Sequence, residues 1–234
     1  MSAWFKWNGL KSTKTKYGLY VASYPDIIIP EERLKDVVVP GRSGSLTQHE
    51  GEGVYNDFVA TVECFVLSPD TIPELAAWLK GSGEVVFGNQ PDVFYKARIA
   101  NQIAFAQVMR GRTPMTCAVN FRCAPYRYLP GGKEWQTFAL PNATIENPGT
   151  APSEPRIRIN CTGDATLMVG TQIVDVFNVT SFIELDTALK EASTSKLANE
   201  KMAGEFPLLY PGPNALSWTG SVTDVRIKPR WRSL

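Results

Sequence analysis

The chain has 234 residues, with 24 Lys and Arg against 23 Asp and Glu, one histidine and four cysteines. This balance excludes the basic excess of a nucleic-acid-binding protein and the like-charge blocks of a disordered tail, and the length suits one large β domain or two ordinary ones. Ile27-Ile28-Ile29 and Val37-Val38-Val39 are far too short to cross a bilayer, and Lys6 and Lys11 break any secretory-signal pattern, so the expectation is a soluble protein made in a cytoplasm with no membrane partner.

In chain order, Tyr17 to Val21 reads as a strand, and Glu32 to Val39 as another that stops at Pro40-Gly41. Arg42 to Gly53 is rich in glycine and polar residues and reads as a loop or a hairpin tip. From Asp57 the alternation is strict. Phe58, Ala60, Val62, Cys64 and Val66 share one face, the pattern of a half-buried antiparallel strand. One helix is expected near 71–80. Thr71-x-x-Glu74 has capping-box spacing, Pro73 suits a first turn, and Ile72, Leu75, Ala76 and Leu79 form an apolar stripe ended by Gly81. Glu84 to Phe87 resumes strand character, Gly88 to Asp92 is a turn, and Val93 to Met109 reads as one long strand or two paired ones. After Gly111 and Pro114, Met115 to Cys123 alternates again until Ala124-Pro125 ends it.

Pro130-Gly131-Gly132-Lys133 reads as a linker, so residues 1–130 and 131–234 are expected to form separate domains. The second half offers short strands at Arg156 to Cys161, Ala165 to Val169, Gln172 to Val176 and Thr180 to Asp186. Tight turns are expected at Gly163-Asp164 and Gly170-Thr171. Lys190 to Met202 reads as a hairpin with a long loop, Pro207 to Asn214 as a loop of fixed shape, and Ser217 to Lys228 as one or two closing strands. The fold class is therefore all-β with one short helix: a sandwich or barrel-like first domain and a β-sandwich second domain.

Chemistry is sparse. His49, the one histidine, lies in the glycine-rich segment beside Glu50, where a base would be poorly oriented. Gly41-Arg42-Ser43-Gly44 lacks the Lys-Ser/Thr ending of a phosphate loop and reads as a glycine turn. Glu63, Glu84, Asp92 and Asp186 are strand- or turn-associated acids read as solvent-face residues rather than a glycosidase pair. Cys64, Cys117, Cys123 and Cys161 form no metal-ligand spacing and read as buried thiols. Cys117 and Cys123 on one strand would lie about 20 Å apart, beyond disulfide reach. The sequons at Asn142, Asn160 and Asn178 read as chance matches. Arg98, Arg110, Arg112, Arg122 and Arg127 are too scattered to specify nucleic acid. Trp135, Tyr210, Trp218 and Trp231 suit a core or an interface. A sugar platform is the alternative, which would make the chain a carbohydrate-binding β-sandwich protein. No catalytic residue, cofactor or metal is expected.

The landmarks, taken in order, resemble a family. They are Phe5-Lys6-Trp7-Asn8-Gly9, Pro40 to Gly44, the Phe58 to Val66 strand, a short helix ending Ala77-Trp78-Leu79, Tyr95-Lys96-Ala97-Arg98 and Cys123-Ala124-Pro125-Tyr126. In the second half come Asn147-x-Gly149-Thr150 before Pro155-x-Ile157, Tyr210-Pro211-Gly212-x-Asn214 and Arg230-Trp231-Arg232. The series resembles the distal tail proteins of long, non-contractile-tailed (siphovirus-like) phages or prophages. The resemblance implies a virion structural protein at the tail tip, made in the bacterial host. Its first domain would close a homo-oligomeric ring, usually a hexamer, between the tail tube protein and the tail-tip hub protein, and DNA would pass through without specific binding. A galectin-like or carbohydrate-module-like second domain would point outward toward a receptor-binding protein. It further implies ring or partner contacts at the two main turns: Pro40, Gly41, Arg42 and Gly44 in the first, Tyr210, Pro211, Gly212 and Asn214 in the second. The opening is richer in Trp than the family pattern, at Trp4 and Trp7.

Overall fold

The structure, a computed structural model, describes residues 3–14, 18–51, 53–107 and 114–234. Tyr17, Met109, Arg110, Gly111 and Arg112 of the sequence reading lie outside the described residues. The fold is all-β with one short α-helix, as the periodicity predicts. The chain divides into two units, Met1–Arg127 with Leu234, and Tyr128–Ser233.

The first unit contains β1 (Phe5–Trp7), β2 (Leu10–Lys11), β3 (Leu19–Ser23), β4 (Leu34–Val38), β5 (Ser45–His49), β6 (Phe58–Val66), α1 (Ile72–Trp78), β7 (Ser82–Phe87), β8 (Phe94–Ile99), β9 (Ala106–Gln107) and β10 (Met115–Tyr128). Its main sheet has the order β2-β1-β7-β8-β10-β6-β3, with β9 also on β10. The alternation of β6 and β10 puts Ala60, Val62, Cys64 and Val66 beside Cys117, Val119, Phe121 and Cys123 in one core. Phe5 and Trp7 complete it from β1, each fully buried and in ring contact with Phe121. The Asn8-Gly9 turn joins β1 to β2 with φ of +49° and +82°, the left-handed pair that a two-residue hairpin turn demands.

Helix α1 buries Leu75, and Leu79 at its C-terminal cap is buried too, as the stripe predicts, but Ala76 is exposed. Trp78 instead turns inward, stacking on Phe5 and donating from Nε1 to the Trp7 carbonyl at 3.3 Å. The capping box does not form. Thr71 is already helical (φ −85°, ψ −8°), and its hydroxyl donates backward to the Ser68 carbonyl at 2.8 Å, because a 3-10 turn over Pro69–Thr71 precedes the helix. The Arg42 to Gly53 segment is not all loop, since Ser45–His49 is the second strand of a hairpin. Ala124-Pro125 does not end β10, which continues to Tyr128. Of the Val93 to Met109 run, β8 and the two-residue β9 are strands.

The second unit contains β11 (Gln136–Phe138), β12 (Ala143–Asn147), β13 (Arg156–Val169), β14 (Gln172–Val179), β15 (Ile183–Asp186), β16 (Glu191–Ser193), β17 (Met202–Gly204), β18 (Gly212–Lys228) and β19 (Arg232–Ser233). Two long strands, β13 and β18, pair along nearly their whole length. The first half of β13 also pairs with β15 and the second half with β14, while β18 pairs with β12 near its start and β11 near its end. The sheet thus changes partners midway and curls around one core, which includes Ile157, Ile159, Leu167, Val174, Leu185, Val225 and Ile227.

Four expectations are corrected here. Gly163-Asp164 is not a turn: the register shifts there and β13 continues through a bulge, where Gly163 takes φ +84°. Pro130–Lys133 is a 3-10 turn rather than a linker. Gly132 is buried, with room for no side chain, since a Cβ would stand 2.3 Å from the Trp231 nitrogen. Lys190 to Met202 is no hairpin, because β16 pairs with β15 and β17 with β14. The closing strand begins at Gly212, inside the expected Pro207 to Asn214 loop. Two sequon residues have backbone roles, as Asn142 and Asn178 both sit at left-handed φ, which asparagine tolerates. Asn160 donates to Asp224 at 2.8 Å.

Candidate functional site

The feature of the first unit that its own core does not explain is the β4–β5 hairpin. It is a two-stranded sheet of its own, separate from the main sheet. Its register runs from Leu34 opposite His49 to Val38 opposite Ser45. The tip holds Pro40, Gly41, Arg42 and Gly44, all exposed. Gly41 (φ +79°) and Gly44 (φ +80°) have open space around them, so backbone conformation rather than crowding selects glycine at both. The base is tied down. Arg33 N donates to Val54 O and Asn56 N to Glu31 O. Tyr126 packs edge-on against Tyr55 and donates its hydroxyl to Gly53 O at 2.6 Å.

A rigid base therefore carries an arm with almost no core of its own. Every residue of β5 and all of β4 except Val37 are exposed. The exposed side chains include Val38 (79%), Leu46 and Leu34, and the segment leading in adds Ile29 (82%) and Ile27. Pro25 and Pro30 bracket that segment and are buried, which turns Ile27 and Ile29 outward. The charges on the arm are mixed: Thr47 donates to Asp36 at 2.8 Å, and Arg33 lies 3.9 Å from Glu50. Isolated two-stranded hairpins are marginal in water, and aliphatic side chains standing free on one mark a surface completed by another molecule. The sequence reading marked the tip, but not Ile27, Ile29, Leu34, Val38, Val39 or Leu46. Their signal is the pair of three-residue aliphatic runs, one between prolines, which are too short for a core strand's alternation.

The second candidate group forms a loop in the second unit. Tyr210 and Pro211 are exposed, Gly212 takes φ +85°, and Asn214 is buried. Asn214 spends its amide on the loop itself. Its Oδ1 accepts from Tyr210 N at 2.9 Å, and its Nδ2 donates to Tyr210 O at 2.7 Å and Gly212 O at 2.9 Å. Asn214 thus shapes the loop while Tyr210 and Pro211 face outward. The four-aromatic platform does not assemble, since Trp218 and Trp231 belong to the core and leave Trp135 and Tyr210 exposed.

The residues considered for catalysis are dispersed. His49 stands exposed on β5 with Nδ1 3.7 Å from Glu32. Glu63, Glu84 and Asp92 are exposed. Asp186 is held by Arg230 through two 2.7 Å hydrogen bonds and also accepts from Ala188 N and Leu189 N. The Arg230 hydrogen bonds, with the backbone donors, hold the Asp186 carboxyl below its usual range against the opposing effect of burial. Arg122 pairs with Asp57 at 3.1 Å, and Arg127 donates to the Leu234 carbonyl. No group of three or more metal-ligating side chains occurs among the described residues.

No family model and no curated protein matches the chain. Among solved structures, the fold is similar to that of the Dit protein (gp 19.1) of SPP1. That protein is described as a paradigm of the hub adsorption apparatus in phages infecting Gram-positive bacteria. The TM-score is 0.73 at 14% identity, over 97% of this chain and 98% of the other. Likeness at that identity is likeness of fold, and it spans both units.

Proposed function

We propose that this chain is a structural subunit of a siphovirus-like phage or prophage tail tip. It closes into a hexameric ring that joins the tail tube protein to the tail-tip hub protein and lets DNA pass. The observation that carries this reading is the whole-length likeness of fold to a phage hub protein. The β4–β5 arm supplies the surface on which ring closure would draw.

A closed ring needs a head-to-tail interface whose rotation returns to the start. The arm suits one side of it, with aliphatic side chains for burial and charges of both signs to orient a second copy. Burying Leu34, Val38, Val39 and Leu46 would contribute at most about 6–12 kcal/mol at roughly 1.5–3 kcal/mol each. Association costs about 4–15 kcal/mol, so one contact alone is near balance. Ring closure, or stacking on the tube, tips that balance by making the last contacts intramolecular. The near-neutral chain suits a channel through which DNA slides, since a basic lumen would hold phosphates. In this reading the second unit, a galectin-like or carbohydrate-module-like sandwich, presents Tyr210 and Pro211 toward a receptor-binding protein.

The test is solution mass by light scattering with negative-stain imaging over a range of concentrations, with and without purified tail tubes. Open-centred rings near six times the 25.8 kDa chain mass are expected. A Val38→Asp, Leu46→Asp double variant is expected to remain monomeric. A chain that stays monomeric throughout and does not bind tubes overturns the reading. Rings unaffected by the double variant remove the arm from the interface.

A further inference from the structure

Strands β6 and β10 pair without a break from Cys123 opposite Phe58 to Met115 opposite Val66, and in that register Cys117 stands directly opposite Cys64. Directly opposed residues of an antiparallel pair have Cα atoms about 4.5–5.5 Å apart, inside the roughly 4.4–6.8 Å window of disulfides. Both side chains point into the same core, at 1% and 4% exposure, and Cys64 Sγ donates to the Val62 carbonyl at 3.6 Å. No other pair among the four cysteines is so placed. Cys123 lies six residues along β10 opposite Phe58, and Cys161 belongs to the other unit. All four are free thiols in this structure.

We propose that Cys64 and Cys117 are a disulfide-forming pair, a modification site that staples the two central strands of the first unit when the protein meets an oxidant. The neighbouring thiol, with burial, raises Cys64, and the neighbouring thiol lowers Cys117 against the effect of burial, as expected of two thiols in contact. Either sulfur can open the reaction and the other resolve it.

With a small neutral disulfide as oxidant, the thiolate of one of the two cysteines attacks one reagent sulfur. The reagent S–S bond breaks, one thiolate leaves, and a mixed disulfide remains on that cysteine. The opposed cysteine then loses its proton and attacks the protein sulfur of the mixed disulfide, expelling the second reagent thiolate. The two protein sulfurs are each oxidised by one electron, the reagent is reduced by two, and the two thiol protons end on the two released thiolates. Because both sulfurs are buried, the reagent enters only when the strands open, so the reaction is slow and limited by that opening. The bridge closes a long loop containing α1, β7 and β8, which restricts the unfolded chain. The pairing depends on the β6–β10 register alone, so it stands or falls separately from the tail-tip reading.

The experiment incubates the native full chain with bis(2-hydroxyethyl) disulfide at neutral pH, then unfolds it, alkylates it and measures mass. Expected is a chain about 2 Da lighter before alkylation, with two thiols protected and a digest fragment joining the Cys64 and Cys117 peptides. The thermal midpoint should rise by roughly 5–10 °C and return on reduction. In Cys64→Ser, as in Cys117→Ser, no cross-link should form and the reaction should stop at a mixed disulfide on the cysteine that remains. Cys123→Ser and Cys161→Ser should leave the cross-link intact. Four alkylated thiols after incubation, a cross-link between any other pair, or an unresolved mixed disulfide in the unaltered chain overturns the proposal. The peptide map of the unaltered chain decides the matter even if Cys64→Ser does not fold.

Discussion

Replacing Asn147 by alanine tests how the second unit is held together. Asn147 is 2% exposed, and its amide joins three stretches of backbone. Nδ2 donates to Ala151 O at 3.2 Å and Leu209 O at 2.9 Å, and Oδ1 accepts from Gly149 N at 2.9 Å. Leu209 O also accepts from Ser153 N at 2.9 Å and keeps a partner when Asn147 is cut back. Gly149 N and Ala151 O lose theirs in a buried setting, at about 1–3 kcal/mol each, so Asn147→Ala should cost about 2–6 kcal/mol. For a unit of about 100 residues this lowers the melting midpoint by at least about 8 °C. Asn147→Asp sharpens the test. The carboxylate still accepts from Gly149 N, but its other oxygen faces two carbonyls where an amide donated. It should be less stable than Asn147→Ala at pH 7. Burial facing two carbonyls raises its folded carboxyl above the unfolded value, so part of the loss should be recovered as pH falls from 7 toward about 4, where a protonated carboxyl can donate. Calorimetry of the intact chain reads both. A fall under about 3 °C for the alanine variant, or an aspartate variant more stable than alanine at neutral pH, would refute the reasoning.

The other predictions concern an ion pair, a glycine and the arm. A carboxyl held low in the folded chain, as Asp186 is by Arg230, adds stability that is full above the unfolded value near 4 and disappears as pH falls through the lower folded value. Asp186→Asn should therefore cost about 2–3 kcal/mol at pH 7, and its difference from the unaltered chain should shrink as pH drops below about 4 in urea titrations. At Gly83 a Cβ would stand 1.8 Å from Asn8 Oδ1, which accepts from Glu84 N at 3.0 Å. Gly83→Ala should lose about 1–3 kcal/mol. Asn8→Gly, which keeps the left-handed turn, should restore part of that loss in the double variant, and additive losses would refute the clash. Val38→Asp should leave the unfolding midpoint within about 2 °C, since Val38 is 79% exposed; a larger drop would show that the arm supports its own unit.

Short-range pattern carried much of this fold. The alternation of Phe58 to Val66 and of Met115 to Cys123 named the core face of β6 and β10 residue by residue, because side-chain period and burial are both local along a strand. The leucines of α1 were legible for the same reason, as was the turn at Pro40 to Gly44, whose glycines answer a backbone requirement. Ambiguity entered where one residue type serves two ends. Gly163 marks a bulge as well as it marks a turn, and Gly132 serves close packing as well as a linker. Only the neighbouring strand or the Trp231 backbone distinguishes these uses. Thr71 and Glu74 had the spacing of a capping box, but a preceding 3-10 turn gave the threonine hydroxyl another acceptor.

The candidate site was legible only at its tip. That the aliphatic runs Ile27 to Ile29 and Val37 to Val39 stand on an arm outside the core, rather than within it, follows from how the chain returns at Tyr55 and Tyr126. The facing of Cys64 and Cys117, the grip of Arg230 on Asp186 and the three bonds of Asn147 join residues 53, 44 and up to 62 positions apart. Composition and periodicity settle which faces are apolar and where the chain turns, since those depend on a few adjacent residues. Register and the meeting of distant side chains depend on how the whole sheet closes, and only the tertiary structure decides them.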